Sequence, residues 1–110
     1  MDWIKIFEST SDAERVLAEN QPKLLKVHGR SICLVKHEGK IFGVQNNCTH
    51  SEGSLHLGQM NSVGNLVCPL HQHQYNLETG REVDLRSADL ECFPIRESAE
   101  GVFIGVYMRV

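Results

Sequence analysis

No stretch of the 110-residue sequence approaches the roughly 18 consecutive apolar residues of a membrane-spanning helix. The opening, Met1 to Glu8, lacks the positive region, apolar stretch and small-residue cleavage site of a secretory leader. A cytoplasmic location without membrane attachment is therefore expected. Basic charge is also in short supply. Eleven Lys and Arg stand against 14 Asp and Glu, for a formal net charge of −3 and a pI near 6.0, so no field is present that would gather nucleic acid. Internal repeats, low-complexity tracts and dividing linkers are missing too. One domain, residues 1–110, with a genuine core is expected. The glycines at 53, 58 and 64 lack the Gly-Lys-Ser/Thr ending of a phosphate loop, and no Ser-His-Asp set or carboxylate pair can be argued.

What is present reads as short strands separated by turns. Trp3 to Glu8 alternates as a first strand, with Ile4 and Ile6 on one face and Trp3, Lys5 and Phe7 on the other. Ser11 followed three later by Glu14 has capping-box spacing and predicts a short helix from about Asp12 to Glu19, ended by Asn20-Gln21-Pro22. Lys23 to His28, Ser31 to His37 and Lys40 to Gln45 then form a meander, linked by Gly29-Arg30 and Glu38-Gly39. Ser51 to Val67 reads as a compact loop with one helical turn. Asn65 to Cys68 and Gln74 to Leu77 are further short strands, with a turn at Glu78 to Arg81. Leu90 to Arg96 and Val102 to Tyr107 pair across Glu97 to Gly101. Many short strands with glycine-containing turns and a single helix predict an all-β architecture.

The chemistry is concentrated between Asn47 and Gly80. Cys48 and His50 lie two apart, which on an extended segment puts both side chains on one side. Cys68 and His71 lie three apart, with Pro69 at the second position of a turn that brings its ends together. Each pair is a grip of one thiolate and one imidazole, and two such grips suit a cluster in which two cysteines hold one iron and two histidines the other. Rival readings are two disulfides among the four cysteines, a Cys2His2 zinc site, or a buried thiol pair with unrelated surface histidines. Disulfides fit poorly without export signals. Zinc patterns usually pair Cys with Cys and His with His, whereas here each pair is mixed.

Cys48-Thr49-His50 and Cys68-Pro69-Leu70-His71 resemble the two ligand boxes of Rieske [2Fe-2S] proteins, and Tyr75 to Gly80 is similar to the tail that follows the second box in bacterial Rieske ferredoxins. The resemblance implies a Rieske-type [2Fe-2S] cluster, with Cys48 and Cys68 on the inner iron and His50 and His71 on the outer, exposed one. It also implies a small antiparallel β sandwich or barrel bearing a cluster-binding subdomain at about 46–84. The loop-tying cysteines of high-potential members are absent, since Ser51, Glu52 and Gly53 follow His50 and Leu70 precedes His71. Gln72-His73 replaces the Gly-Ser that donates to cluster sulfur there. A potential in the lower half of the Rieske span, about −150 to +300 mV, is expected. Tyr75 works against this if its hydroxyl reaches a cluster cysteine; the other reading is an ordinary half-buried strand tyrosine. Ferredoxins often cover the cluster with a proline-containing loop, and the matching Leu85 to Asp89 has no proline, which predicts a less shielded site.

Cys33 and Cys92 read as small core or sheet residues. His28 and His37 flank hairpins and are expected in solvent. His56 and His73 stand near the histidine edge, as surface residues or as part of a docking surface or proton path. With no open metal site and an end at Val110, where the resembling oxygenase subunits continue into a mononuclear iron domain, a carrier rather than an enzyme is expected. The leading expectation is a ferredoxin taking electrons from an NAD(P)H-dependent reductase to a terminal oxygenase through transient contacts. The alternative is the small Rieske subunit of an assimilatory nitrite reductase.

Overall fold

The computed structural model describes residues 1–107. All strand pairing within its sheets is antiparallel, and the sheets stack in three layers. The chain runs β1 (Asp2–Phe7), α1 (Thr10–Val16), β2 (Lys23–Val27), β3 (Arg30–His37), β4 (Lys40–Gln45), a 3₁₀ turn (Leu55–Leu57), β5 (Gln59–Met60), β6 (Asn65–Val67), β7 (Gln74–Asn76), β8 (Cys92–Phe93), β9 (Ile95–Ser98) and β10 (Gly101–Val106). The outer sheet is β1-β10-β9, the middle sheet β2-β3-β4-β8 and the small third sheet β5-β6-β7. Mostly-β architecture and a single short helix agree with the sequence reading.

The apolar run Ile32-Cys33-Leu34-Val35 explains the layering. On a strand alternate residues face opposite sides. Ile32 and Leu34 pack toward the outer sheet with Val102, Ile104 and α1, while Cys33 and Val35 pack toward the third sheet with Leu55, Leu66 and Tyr75. A strand buried on both faces reads as continuous hydrophobicity rather than alternation. The middle sheet is thus a floor on which the third sheet rests.

Several boundaries differ from expectation, each for a local reason. The helix starts earlier because Ser9, not Ser11, caps it: Ser9 Oγ accepts from the Asp12 backbone N–H at 3.0 Å. It ends at Val16, with Leu17 as its C-cap, before the predicted Glu19, and Ala13 and Leu17 are buried. The first hairpin turns on His28-Gly29, both with positive φ, because Val27 pairs with Arg30. The second turns on Glu38-Gly39 as expected, again with positive φ at both, the geometry that suits the twist of a two-residue hairpin. In β1 a register shift between Lys5 and Phe7 lets Ile4, Ile6 and Phe7 all reach the core. The predicted strand Leu90 to Arg96 is divided: β8 pairs with β4 and β9 with β10. Pro94, which cannot donate to a ladder, sits at the crossing and accepts from Gly105 N–H at 2.9 Å.

Candidate metal centre

Two loops carry the four candidate ligands toward one another. The first follows β4. Cys48 N–H bonds to the Gly53 carbonyl at 2.9 Å and Leu55 N–H to the Asn46 carbonyl at 2.8 Å, which folds residues 46–55 into a closed finger. Buried Asn46 pins its base, accepting from the His56 backbone N–H at 2.9 Å. The second finger joins β6 to β7. Cys68 N–H reaches the His73 carbonyl at 2.9 Å, and Gln72 N–H returns to the Cys68 carbonyl at 3.1 Å. Gln72 takes a positive φ there.

Cys48 and Cys68 lie inside, with Cys68 fully buried, whereas His50 and His71 are exposed. The imidazoles of His50 and His71 meet edge to face, 4.9 Å between centroids. All four cysteines are free thiols. Burial opposes ionisation of Cys48, but the Tyr75 hydroxyl, the backbone N–H groups of His50 and Ser51 and the Cys68 thiol outweigh it, and its pKa moves down. Cys68 moves up, from burial and then from the neighbouring Cys48, although the N–H groups of Leu70 and His71 favour its thiolate. Each sulfur thus faces backbone N–H groups two and three residues on.

This donor set fits a two-iron cluster: a buried thiol pair with N–H groups aimed at sulfur, and an exposed imidazole pair beside it. Gly53 makes room for it. A Cβ at that position would lie 2.8 Å from Cys68 Sγ.

Sequence reading missed the surroundings of the pair. Tyr75 is fully buried and its hydroxyl lies 3.3 Å from Cys48 Sγ, 3.1 Å from Thr49 Oγ1 and 2.9 Å from Ser87 Oγ. Of the two readings of Tyr75, the contact with cysteine is the one realised. Burial, then the Cys48 sulfur, raises its pKa, so the phenol stays a donor. The loop without proline closes over the site all the same. Buried Glu82 organises it, accepting from the backbone N–H groups of Gln74, Asp84 and Arg86 and from the Arg86 guanidinium. The guanidinium beside Glu82 holds its carboxyl down at about 2, against the burial that would raise it. The Thr49 hydroxyl then donates to the Ala88 carbonyl at 2.5 Å.

His73 is buried rather than on the surface. Its ring stacks on His50, with centroids 3.8 Å apart and planes 19° apart. Burial, then the positive charge of the Arg86 guanidinium, keeps it below the usual imidazole value. His56 is tied to Asn46; His28 is exposed, and His37 is half-buried, with its Nδ1 2.7 Å from Asn20 Oδ1. Cys33 is core as expected, its thiol pushed up to about 12 by burial. Cys92 is on a strand but exposed, because β8 lies at the edge of the middle sheet. No sequence signal marked Ser87; the Tyr75 position was the only pointer toward such a network.

Comparison with known proteins places this geometry. The Rieske [2Fe-2S] domain family matches residues 4–94. The ferredoxin component of the alkene monooxygenase system of Xanthobacter autotrophicus is 29% identical over 89 residues, 81% of this chain and 73% of that protein. The ferredoxin of carbazole 1,9a-dioxygenase from Nocardioides aromaticivorans superposes with a TM-score of 0.77 at 19% identity, covering 92% of this chain and 96% of that one. A candidate NADH-dependent nitrite reductase small subunit from Mycobacterium tuberculosis gives 0.80 at 16% identity, with 97% of each chain covered. The two structures share the fold and do not choose between those roles. The chain belongs to the Rieske [2Fe-2S] domain family, and its cofactor is a Rieske-type [2Fe-2S] cluster.

Proposed function

We propose that this Rieske protein is a one-electron carrier in which Cys48, Cys68, His50 and His71 hold the cluster, the cysteines on the inner iron and the histidines on the outer. The observation that carries the assignment is the sorting of the four side chains, thiols buried and imidazoles exposed on two hydrogen-bonded fingers. What the cluster supplies when bound is a single one-electron couple. The chain's own residues do the rest. The N–H groups of His50, Ser51, Leu70 and His71 stabilise negative charge on the sulfurs. Tyr75 offers one further donor to Cys48. The body, with the loop from Glu82 to Ala88, keeps water from the cysteine side, leaving the histidine edge as the exit.

The acceptor we assign is a terminal oxygenase and the donor an NAD(P)H-dependent reductase, both transient partners, because relatives similar in sequence include one named as the ferredoxin component of an alkene monooxygenase system. Exposed Leu70, beside His71, and Leu85, on the covering loop, suit brief docking at that edge. We assign a single domain, residues 1–110, with the cluster unit at about 46–84, and a cytoplasmic location, where NAD(P)H is the reductant; residues 108–110 lie outside the described part.

A redox titration of the reduced, anaerobically purified protein followed by low-temperature EPR tests the reading. The expected result is a mixed Cys/His [2Fe-2S] signal with a midpoint in the lower half of the span of about −150 to +300 mV. A colourless, EPR-silent, zinc-loaded protein would end it. The likeness to a nitrite reductase small subunit supports a second reading, a permanent subunit. Size-exclusion chromatography of the native source separates the two: a stable large complex favours the subunit, a free small carrier the ferredoxin.

A further inference from the structure

The reading above leaves His73 and Ser87 without a task, and a count of protons at Tyr75 supplies one. The Tyr75 hydroxyl has one proton and three neighbours: Cys48 Sγ, Thr49 Oγ1 and Ser87 Oγ. Thr49 spends its own proton on the Ala88 carbonyl, which can only accept. Toward Tyr75, Thr49 is therefore an acceptor. Ser87 likewise has one proton and two neighbours, Tyr75 at 2.9 Å and His73 Nδ1 at 3.2 Å.

One Tyr75 proton cannot serve all three neighbours, and two arrangements of the chain compete for it. With the His73 proton on Nδ1, His73 donates to Ser87, Ser87 donates to Tyr75, and Tyr75 is free to donate on the Cys48 side. With the proton on Nε2, Ser87 donates to His73, Tyr75 donates to Ser87, and neither Cys48 nor Thr49 receives a proton from Tyr75. A metal-bound cysteine sulfur has no proton and carries negative charge. A hydrogen bond to a charged acceptor is roughly twice as strong as one between neutral groups, so the first arrangement is the more stable.

We propose that His73 and Ser87 are positioning residues which, by donating in sequence from His73 Nδ1–H to Ser87 and from Ser87 to Tyr75, aim the Tyr75 proton at the Cys48 sulfur. No proton is gained or lost; only the direction of three hydrogen bonds is set. The relay rests on the Rieske reading, since Cys48 must be a ligand for its direction to matter. Its consequence is a higher midpoint potential, because a donor to sulfur stabilises the reduced, more negative cluster. Each bond in a chain strengthens the next by on the order of 10–30%, which sets the size of the effect.

The test is the midpoint potential of the loaded protein in a variant series. Tyr75→Phe sets the scale by lowering it. Ser87→Ala and His73→Phe, which keeps a flat ring against His50, should each lower it by on the order of 10–30% of that shift. Neither should lower it further when combined with Tyr75→Phe, and Ser87→Thr should restore the parent value. A rise in Ser87→Ala would mean that Ser87 competes for the Tyr75 proton, and would overturn the proposal. An unchanged midpoint, or full additivity with Tyr75→Phe, would also overturn it. If Ser87→Ala does not load, His73→Phe decides by the same criteria. A parent protein with no mixed Cys/His EPR signal defeats the functional reading and the relay together; a normal signal with the wrong order of midpoints defeats the relay alone.

Discussion

The body of the molecule and the unit that carries the candidate ligands are held together by different means. In the body, β3, β4 and β10 run for eight, six and six residues, and the side chains between the sheets are aliphatic, with Ile32, Leu34, Val102 and Ile104 at the centre. In the site unit the strands are two or three residues long. There side chains stand in for the missing ladder: Asn46, Asn61, Asn76 and Glu82 each accept from backbone N–H groups. Among the described residues the buried polar ones are Asn46, His73 and Glu82, all in or bordering this unit. A ladder over an apolar layer spreads its stability over many contacts, whereas a loop held by one carboxylate depends on that carboxylate.

The largest expected effect comes from removing a proposed ligand. Cys68→Ala should abolish the visible absorbance and EPR signal of the cluster while far-UV circular dichroism retains the strands of the body. Collapse of the body as well would refute the division drawn here. A change in the body should do the reverse. Ile104→Ala is expected to lower stability by about 2–5 kcal/mol in urea unfolding, with the midpoint potential unmoved.

Glu82→Gln should cost roughly 2–3 kcal/mol, because it weakens charge-assisted bonds to three backbone N–H groups and to Arg86. Hydrogen exchange should speed up over residues 74–88 and not in β3. The difference from the parent protein depends on pH with a definite sign. The Glu82 pKa falls from 4.5 to about 2 on folding, so its contribution is complete above pH 4.5 and is lost as pH falls through 2. The gap between variant and parent should therefore narrow over that interval; a gap that widened in acid would show that the carboxylate is not what holds the loop.

Tyr75→Phe is the smallest of these four changes. It leaves stability nearly intact and lowers the midpoint by about 40 mV, taking about 1 kcal/mol for the lost bond and 59 mV per tenfold for a one-electron couple.

Much of this was legible in the residues. Alternation and glycine turns located the meander, with β4 matching to the residue, because those signals act over neighbouring positions. Spacing alone paired Cys48 with His50 and Cys68 with His71. Where reading failed, the deciding contact was distant or ambiguous. Ser9 and Ser11 are both plausible caps, and only the packing of Ala13 and Leu17 under the sheet selects Ser9. Leu90 to Arg96 looks like one strand until two sheets compete for its halves at Pro94. The absence of proline from Leu85 to Asp89 suggested an open site, yet a carboxylate at Glu82 closes it, a contact no local pattern announces.

The sequence by itself determined which residues are the candidate ligands, their mixed pairing within each box and the all-β character, because side-chain chemistry and strand periodicity are properties of residues a few positions apart. Only the tertiary structure decided that the thiols lie inside and the imidazoles outside, that His73 stacks on His50, and that Tyr75, Thr49 and Ser87 meet beside Cys48. Those contacts join residues from 12 to 27 positions apart, and nothing short of the stacked sheets brings them within hydrogen-bond reach.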